Sequence, residues 1–380
     1  MISDKKLGIY MHIPFCRSRC HYCGFYSVGR VPSERFADAI IREIETKGAV
    51  LKDRCCDTVY LGGGTPSSLT EEQLERIMTA LHSHFHIDKN AEITMEMNPC
   101  DMNRHYIEHA LSLGINRVSI GVQTNQDKLL KEIGRRHSAL DAERALGNAY
   151  SGGFRNISID LMCELPGQTV SDFERTLKWA VHLSINHLSV YSLILEEGTR
   201  FWQLAEKGML TRPSENDSWA MYQAMCRILP HYGFERYEIS SFARKGFASK
   251  HNLKYWKLED YVGIGPSACS RIGRERVENL AGVNLYEKEI LSGGRVPEER
   301  TLLSCEEEME EFCFLGLRMS TGIDKKNFLQ RYGKKIETVY GDVIRKLMNE
   351  KMIVSADDKI YLTYKGTAFG NYVFEQFLLS

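Results

Sequence analysis

Short apolar runs alternating with stretches of helical periodicity constrain this chain more than any other feature. Residues 7–12 read as a first strand. Residues 32–51 follow as a helix, with Phe36, Ala39, Ile40 and Ile44 on one face and Ser33 placed to cap it. The pattern repeats as strand 57–61, helix 71–84, strand 92–97, helix 104–113, strand 117–122 and a long helical region over 126–150. Strand 156–162, helix 171–182 and strand 187–193 complete six alternations with short connections. Such a chain builds a parallel sheet wrapped by helices, an α/β fold. An incomplete barrel and a doubly wound open sheet both satisfy the pattern. In either, chemistry gathers where the strands end, so residues 16–23, 62–65, Glu96, Gln123 and Asp160 are expected to converge.

The densest chemistry lies in the loop after the first strand. Cys16, Cys20 and Cys23 have C-x3-C-x2-C spacing, and the next cysteine is Cys55. Three thiolates do not complete a tetrahedral Zn(Cys)4 site, and no local pattern adds His and Cys at finger spacing. They can hold three irons of a cubane [4Fe–4S] cluster and leave the fourth iron open. A zinc site with a distant fourth ligand, and buried or redox-active thiols, are the alternatives. Arg17 and Arg19 stand where they could offset thiolate charge, and Phe15, Tyr22, Phe25 and Tyr26 where they could exclude water.

Gly62-Gly-Gly-Thr-Pro66 follows the second strand without the Gly-Lys-Ser/Thr of a phosphate loop or the dinucleotide G-x-G-x-x-G pattern. Consecutive glycines bare the backbone toward a ligand; a tight turn is the plainer explanation. Glu96 and Asp160 are acids at apolar strand ends, where buried carboxylates need hydrogen-bond donors. Ribose hydroxyls would serve, and so would structural ion pairs.

The string IYMHIPFCRSRCHYCGF resembles the radical S-adenosylmethionine (SAM) family, and in particular its oxygen-independent coproporphyrinogen oxidase branch, haem-chaperone members included. The resemblance implies a partial (β/α)6 barrel and SAM chelating the open iron through its amino and carboxylate groups. It further implies reductive cleavage of SAM to methionine and a 5′-deoxyadenosyl radical. It assigns Cys16, Cys20 and Cys23 to the cluster. To SAM it assigns Gly63, Gly64, Thr65, Glu96, Gln123, Arg135 and Asp160, with Arg135 rather than Arg136 pairing the carboxylate. Tyr10 either borders this space or packs on an apolar face.

His251-Asn-Leu-Lys-Tyr-Trp256 resembles the string typical of the haem-chaperone members, which makes His251 a candidate haem ligand with Tyr255 and Trp256 beside the porphyrin. A structural histidine among aromatics is the alternative. Cys269 stands where those members have histidine, and is either a second haem contact or a small buried residue. Authentic coproporphyrinogen dehydrogenases have a further cysteine at the position of Phe25 and a long N-terminal arm, whereas nine residues precede Tyr10 here. Both departures weigh against decarboxylation.

The expected organisation is a barrel over residues 1–200, an extension over 201–295 and a small winged-helix-like domain over 296–380, with residues 292–300 as linker. Helices at 305–319, 325–331 and 336–350 precede a hairpin of strands 352–355 and 360–363 turning at Asp357-Asp358. A formal charge of −1 and no basic recognition helix weigh against nucleic acid as a partner. No run reaches transmembrane length and no leader pattern precedes Tyr10. Eleven cysteines in 380 residues are too sparse for a disulfide scaffold, so a reducing cytoplasm is expected.

The expected function is a radical SAM haem chaperone that binds a [4Fe–4S] cluster, SAM and haem and delivers haem to an acceptor such as a respiratory haem protein. Flavodoxin or ferredoxin would donate the electron. The alternative is an enzyme on a tetrapyrrole, above all an oxygen-independent coproporphyrinogen III dehydrogenase. A non-catalytic interaction protein is a third reading.

Overall fold

The six expected strands form as parallel neighbours in sequence order. They are β1 (Leu7–Ile13), β2 (Cys55–Gly63), β3 (His86–Met97), β4 (Arg117–Gln123), β5 (Asn156–Cys163) and β6 (His187–Ser192). The computed structural model describes residues 6–293 and 295–379. Helices α1 (Glu34–Leu51), α2 (Glu71–His84), α3 (Arg104–Ser112), α4 (Asp127–Glu132), α5 (Ala139–Gly152) and α6 (Val170–Ala180) cover the outer face. Ser33 caps α1 by accepting from Phe36 N, and Phe36, Ala39, Ile40 and Ile44 are buried as their spacing requires. The result is a partial barrel whose sheet stays open. Helices α7 (Arg200–Glu206) and α8 (Glu215–His231) follow, and β7 (Glu235–Arg236) and β8 (Ser241–Ala243) extend the β6 edge antiparallel. At the other edge, after α9 (Lys250–Trp256), β9 (Tyr261–Ile264) lies parallel to β1; antiparallel β10 (Cys269–Ile272) and β11 (Glu275–Asn279) continue the sheet.

Strand alternation separates two environments. Ile93, Met95, Val118, Ile120, Ile157, Ile159 and Leu161 join one apolar core with the helices. The intervening Tyr60, Glu96, Ser119, Ser158, Asp160 and His187 face inward and bond to one another across strands. The interior of this barrel is polar, so its strands read as alternating, not as the continuous apolar runs of a parallel sheet buried on both faces.

Two expectations are corrected. The long helix over 126–150 is two helices, α4 and α5, interrupted at residues 133–138, where Gly134 takes a φ of +77°. Part of the expected linker, after helix α10 (Val283–Gly293), is β12 (Glu298–Leu302), which pairs with β11 at the sheet edge. The HN..YW segment is helix α9.

Beyond β12, α11 (Cys305–Arg318), β13 (Ile323–Asp324), α12 (Lys325–Tyr332), α13 (Ile336–Asn349), β14 (Ile353–Ala356) and β15 (Lys359–Leu362) form the winged-helix-like unit. Asp357 sits at the hairpin turn with a φ of +49°. Its own core gathers Phe312, Phe328, Tyr340 and Phe377 around Leu258 of the preceding segment. Buried Glu308 accepts from both Arg271 (2.9 Å) and Arg331 (2.8 Å), fastening this unit to the sheet. Two short helices, α14 (Tyr364–Ala368) and α15 (Gly370–Glu375), then return toward the barrel mouth. No described helix is long and apolar enough to cross a membrane.

Candidate functional site: a cavity at the barrel mouth

The cysteine loop is fixed at both ends. Phe15 and Val28 form a bridge at its neck, and buried Phe15 packs edge-on against Phe36 of α1 at 4.7 Å. On the far side, His21 N donates to Ile133 O at 3.0 Å and the ring Nδ1 lies 2.8 Å from Glu132 O, tying the loop to the end of α4. Cys16, Cys20 and Cys23 are free, half-buried and line one cavity of about 1070 Å³. Cys16 Sγ lies 3.5 Å from Thr65 Oγ1, and Arg135 Nη1 donates to Cys20 Sγ at 3.6 Å. Of the flanking arginines, Arg19 donates to Cys23 O at 3.3 Å and Arg17 lies 3.8 Å from Asp101. Burial holds the Cys16 and Cys23 thiols above the ordinary thiol range. A bound metal, not the apoprotein, would therefore have to draw off their protons. Among the described residues no three His, Cys, Asp or Glu side chains converge as a ligand set for a single metal ion. Thiolates serving three different irons need no such convergence.

The glycine loop lies against the start of the cysteine loop. Gly63 has a φ of +107°, and a Cβ there would stand 2.4 Å from His12 Nδ1. At Gly64 a Cβ would meet Phe15 N at 2.7 Å and the carbonyls of Ile13 and Phe15 at 2.9 Å. Only glycine fits, and the backbone it bares, with Thr65, faces the cavity.

Opposite stand the two carboxylates. Glu96 accepts from Tyr60 Oη at 2.8 Å and from Gly63 N at 3.2 Å; burial, with Asp160 beside it, pushes its pKa up to about 7. Asp160 accepts from Ser119 Oγ at 3.4 Å and is likewise raised by burial. Each carboxylate keeps acceptor capacity for a further hydroxyl donor. Gln123 ends β4 at a register shift with a φ of +71°, a conformation costly outside glycine, and its side chain lines the cavity. The break after α4 sets Arg135 among the same residues, where it donates to Gly121 O and Cys20 while its enclosed Nε has no partner among the described residues. A cluster and SAM fit this set: three thiols, a bared backbone, acceptors opposite and a guanidinium with an unused donor.

The structure thus brings Cys16, Cys20, Cys23, Gly63, Gly64, Thr65, Glu96, Gln123, Arg135 and Asp160 around one space. Tyr10 is not among the lining residues. It lies deeper in the barrel, 3.0 Å from His12 Nδ1 and stacked near Tyr60. The sequence reading missed the far wall, where Tyr222, Arg318, Phe369, Tyr372 and Phe374 come from α8 and the C-terminal unit. Phe25 (69% exposed) and Phe369 (52%) both line this cavity.

His251, Tyr255 and Trp256 stand outside the mouth cavity; Trp256 instead lines a second cavity of about 850 Å³ with Leu258 and Arg331. His251 is fully buried beneath the barrel, its Nδ1 2.9 Å from Thr58 Oγ1 and its Nε2 2.8 Å from Tyr255 Oη. Burial, with Lys254 and Arg117 nearby, lowers its pKa to about 3. Its backbone N donates to Glu92, at the opposite end of β3's inward-facing row from Glu96. Trp256 stacks under Arg318, 4.3 Å away. Helix α9 closes the end of the barrel away from the cysteines, and ligation of haem iron by His251 would require withdrawing it. Cys269 is exposed on β10, outside the cavity lining. His251→Ala is expected to cost about 2–4 kcal/mol of stability by leaving a hole and orphaning two buried hydroxyls. A denaturation midpoint equal to wild type would contradict this role.

Residues 10–180 match the Radical SAM superfamily and residues 303–369 the HemN C-terminal domain. The chain belongs to the radical SAM superfamily, in the HemW/HemN-like group of haem-associated proteins. It is 38% identical to the heme chaperone HemW of Bacillus subtilis over 97% of this chain and 98% of that protein. To HemW of Lactococcus lactis it is 37% identical, over 99% and 98%. The solved structure of coproporphyrinogen III oxidase (HemN) from Escherichia coli superposes with a TM-score of 0.85 at 23% identity, covering 99% of this chain and 90% of that one, a likeness of fold. Membership of this superfamily entails a [4Fe–4S] cluster and SAM, and radical SAM chemistry.

Proposed function

We propose that this protein is a haem chaperone of the radical SAM type, which holds a [4Fe–4S] cluster and SAM at the barrel mouth, binds haem and passes it to an acceptor protein. The observation that carries this reading is one cavity lined by the cysteine triad, the glycine loop, both carboxylates and Arg135, together with a far wall rich in aromatics. Cys16, Cys20 and Cys23 would hold the cluster. Thr65 and the bared loop, with Arg135, would receive the amino acid portion of SAM, and Glu96 and Asp160 its ribose hydroxyls. When bound, these cofactors supply one-electron reductive cleavage of a sulfonium; the protein supplies orientation and exclusion of water. A reduced flavodoxin or ferredoxin is the proposed electron source, and a respiratory haem protein the proposed acceptor. Eleven cysteines, none in a disulfide, support a cytoplasmic setting.

The cavity exceeds what a nucleoside alone fills, and Phe25, Phe369 and Tyr372 offer flat apolar surface to a porphyrin. Anaerobic incubation with SAM, a reductant and either haem or coproporphyrinogen III tests the reading. Stable haem uptake, transfer to an apo-acceptor and no CO2 release are expected. Release of CO2 from coproporphyrinogen, or loss of the haem Soret band, would overturn it.

A further inference from the structure

Arg117 begins β4 with its side chain in the polar interior and is only 2% exposed. No hydrogen bond or ion pair reaches its guanidinium from any other described residue, and its Nε is enclosed without a partner. An isolated buried cation is costly, so its retention needs a compensating charge nearby. The strand register supplies one. Ser119, the next inward residue of β4, is paired with Glu96, and Gly121, the one after, with Asp160. Arg117 therefore sits one inward position below the level of Glu96 and two below that of Asp160, close enough to draw each toward its ionised form without touching either.

The lack of contact is the informative part. A guanidinium clamped on Glu96 or Asp160 would occupy the oxygen lone pairs that a ligand's hydroxyls need. We propose that Arg117 is a positioning residue for SAM: an internal counter-charge, held out of contact, that keeps Glu96 and Asp160 ionised and free to accept ribose hydroxyls. This rests on the SAM site proposed above. The other groups acting on the two acids are Tyr10 on β1, Tyr60 and Gly63 N on β2, Ser119 on β4, Ser189 and Tyr191 on β6, Arg135 from the loop after α4, Tyr255 on α9, and each acid on the other. Arg117 also bears on His187 and on His251 of α9. Without Arg117 both acids would hold their protons to higher pH. Fewer acceptors would then be available at neutral pH, and raising the pH would restore them.

The test is SAM affinity by anaerobic equilibrium dialysis of the cluster-reconstituted protein from pH 6 to 9. Wild type is expected to bind more weakly toward acid. Arg117→Met should lose about tenfold at pH 7, with its profile displaced upward by about one pH unit. Arg117→Lys should keep close to the wild-type midpoint. A uniform loss with an unmoved midpoint, or no loss, would overturn the proposal while leaving the SAM site intact. Wild type binding no SAM at any pH would overturn both. Should Arg117→Met not fold, the double variant with Glu96→Gln, which removes charge and counter-charge together, is expected to regain the fold. Its failure to do so also counts against the proposal.

Discussion

Alanine at Cys16, Cys20 or Cys23 is expected to give a folded protein that takes up at least about tenfold less iron than wild type on anaerobic reconstitution. Three thiols are the minimum that leaves a cubane one open corner, so no member of the triad has a substitute. The nearby Arg135 donates; it cannot replace a thiolate. Cys55 begins β2, near Asp88 and away from the loop, and Cys163 is buried with its thiol against Ser192. The fold should survive because the thiols are half-exposed and the loop is held by the Phe15–Val28 bridge and the His21 anchors. Iron assay with circular dichroism reads both halves of the expectation. Wild-type iron in any of the three variants would remove that cysteine from the ligand set.

Gly64→Val is the second change with a large expected effect. Its Cβ would press on Phe15 N at 2.7 Å and on two backbone carbonyls, none of which can swing aside as a flexible side chain would. The strain must be relieved by moving the neck of the cysteine loop away from the glycine loop. Overpacking of this kind costs about 1–3 kcal/mol. The local displacement should cost more in function, with SAM affinity falling by about tenfold or more for a misplacement near 1 Å. Dialysis against SAM, alongside a denaturation curve, separates the two effects. A variant with wild-type affinity would show that the two loops need not touch. Gly29, which has nothing within 4 Å of a built Cβ, is the control expected to tolerate alanine.

The physical reasons for what the sequence disclosed are local. Strand alternation and short connections put the chemistry at one edge, which is why the sequence alone places residues 16–23, 62–65, Glu96, Gln123 and Asp160 together. Tertiary effects account for the misses. Leu129, Leu130 and Ile133 continue a helical period into the break, so nothing in that period announces the turn at Gly134 that aims Arg135. His251 beside two aromatics has the composition of a ligand, yet Thr58 and Tyr255 occupy both ring nitrogens. Those partners are 193 residues away and one helical turn away, and only the fold joins them. The aromatic wall of Phe369 and Tyr372 comes from the end of the chain, where short helices carry no motif. In the sequence Arg117 is only the first residue of a strand. That no described residue pairs with it is visible only once the interior is closed.

In the proposed site SAM meets an open iron of a three-cysteine cluster in the cavity at the barrel mouth. Electron paramagnetic resonance of the reduced, anaerobically reconstituted protein, recorded before and after adding SAM, tests it most directly. About four irons per chain and a cluster signal that changes when SAM is added are expected, with no such signal in the Cys20→Ala protein. A cluster signal indifferent to SAM, or a protein carrying a lone zinc in place of iron, would contradict it.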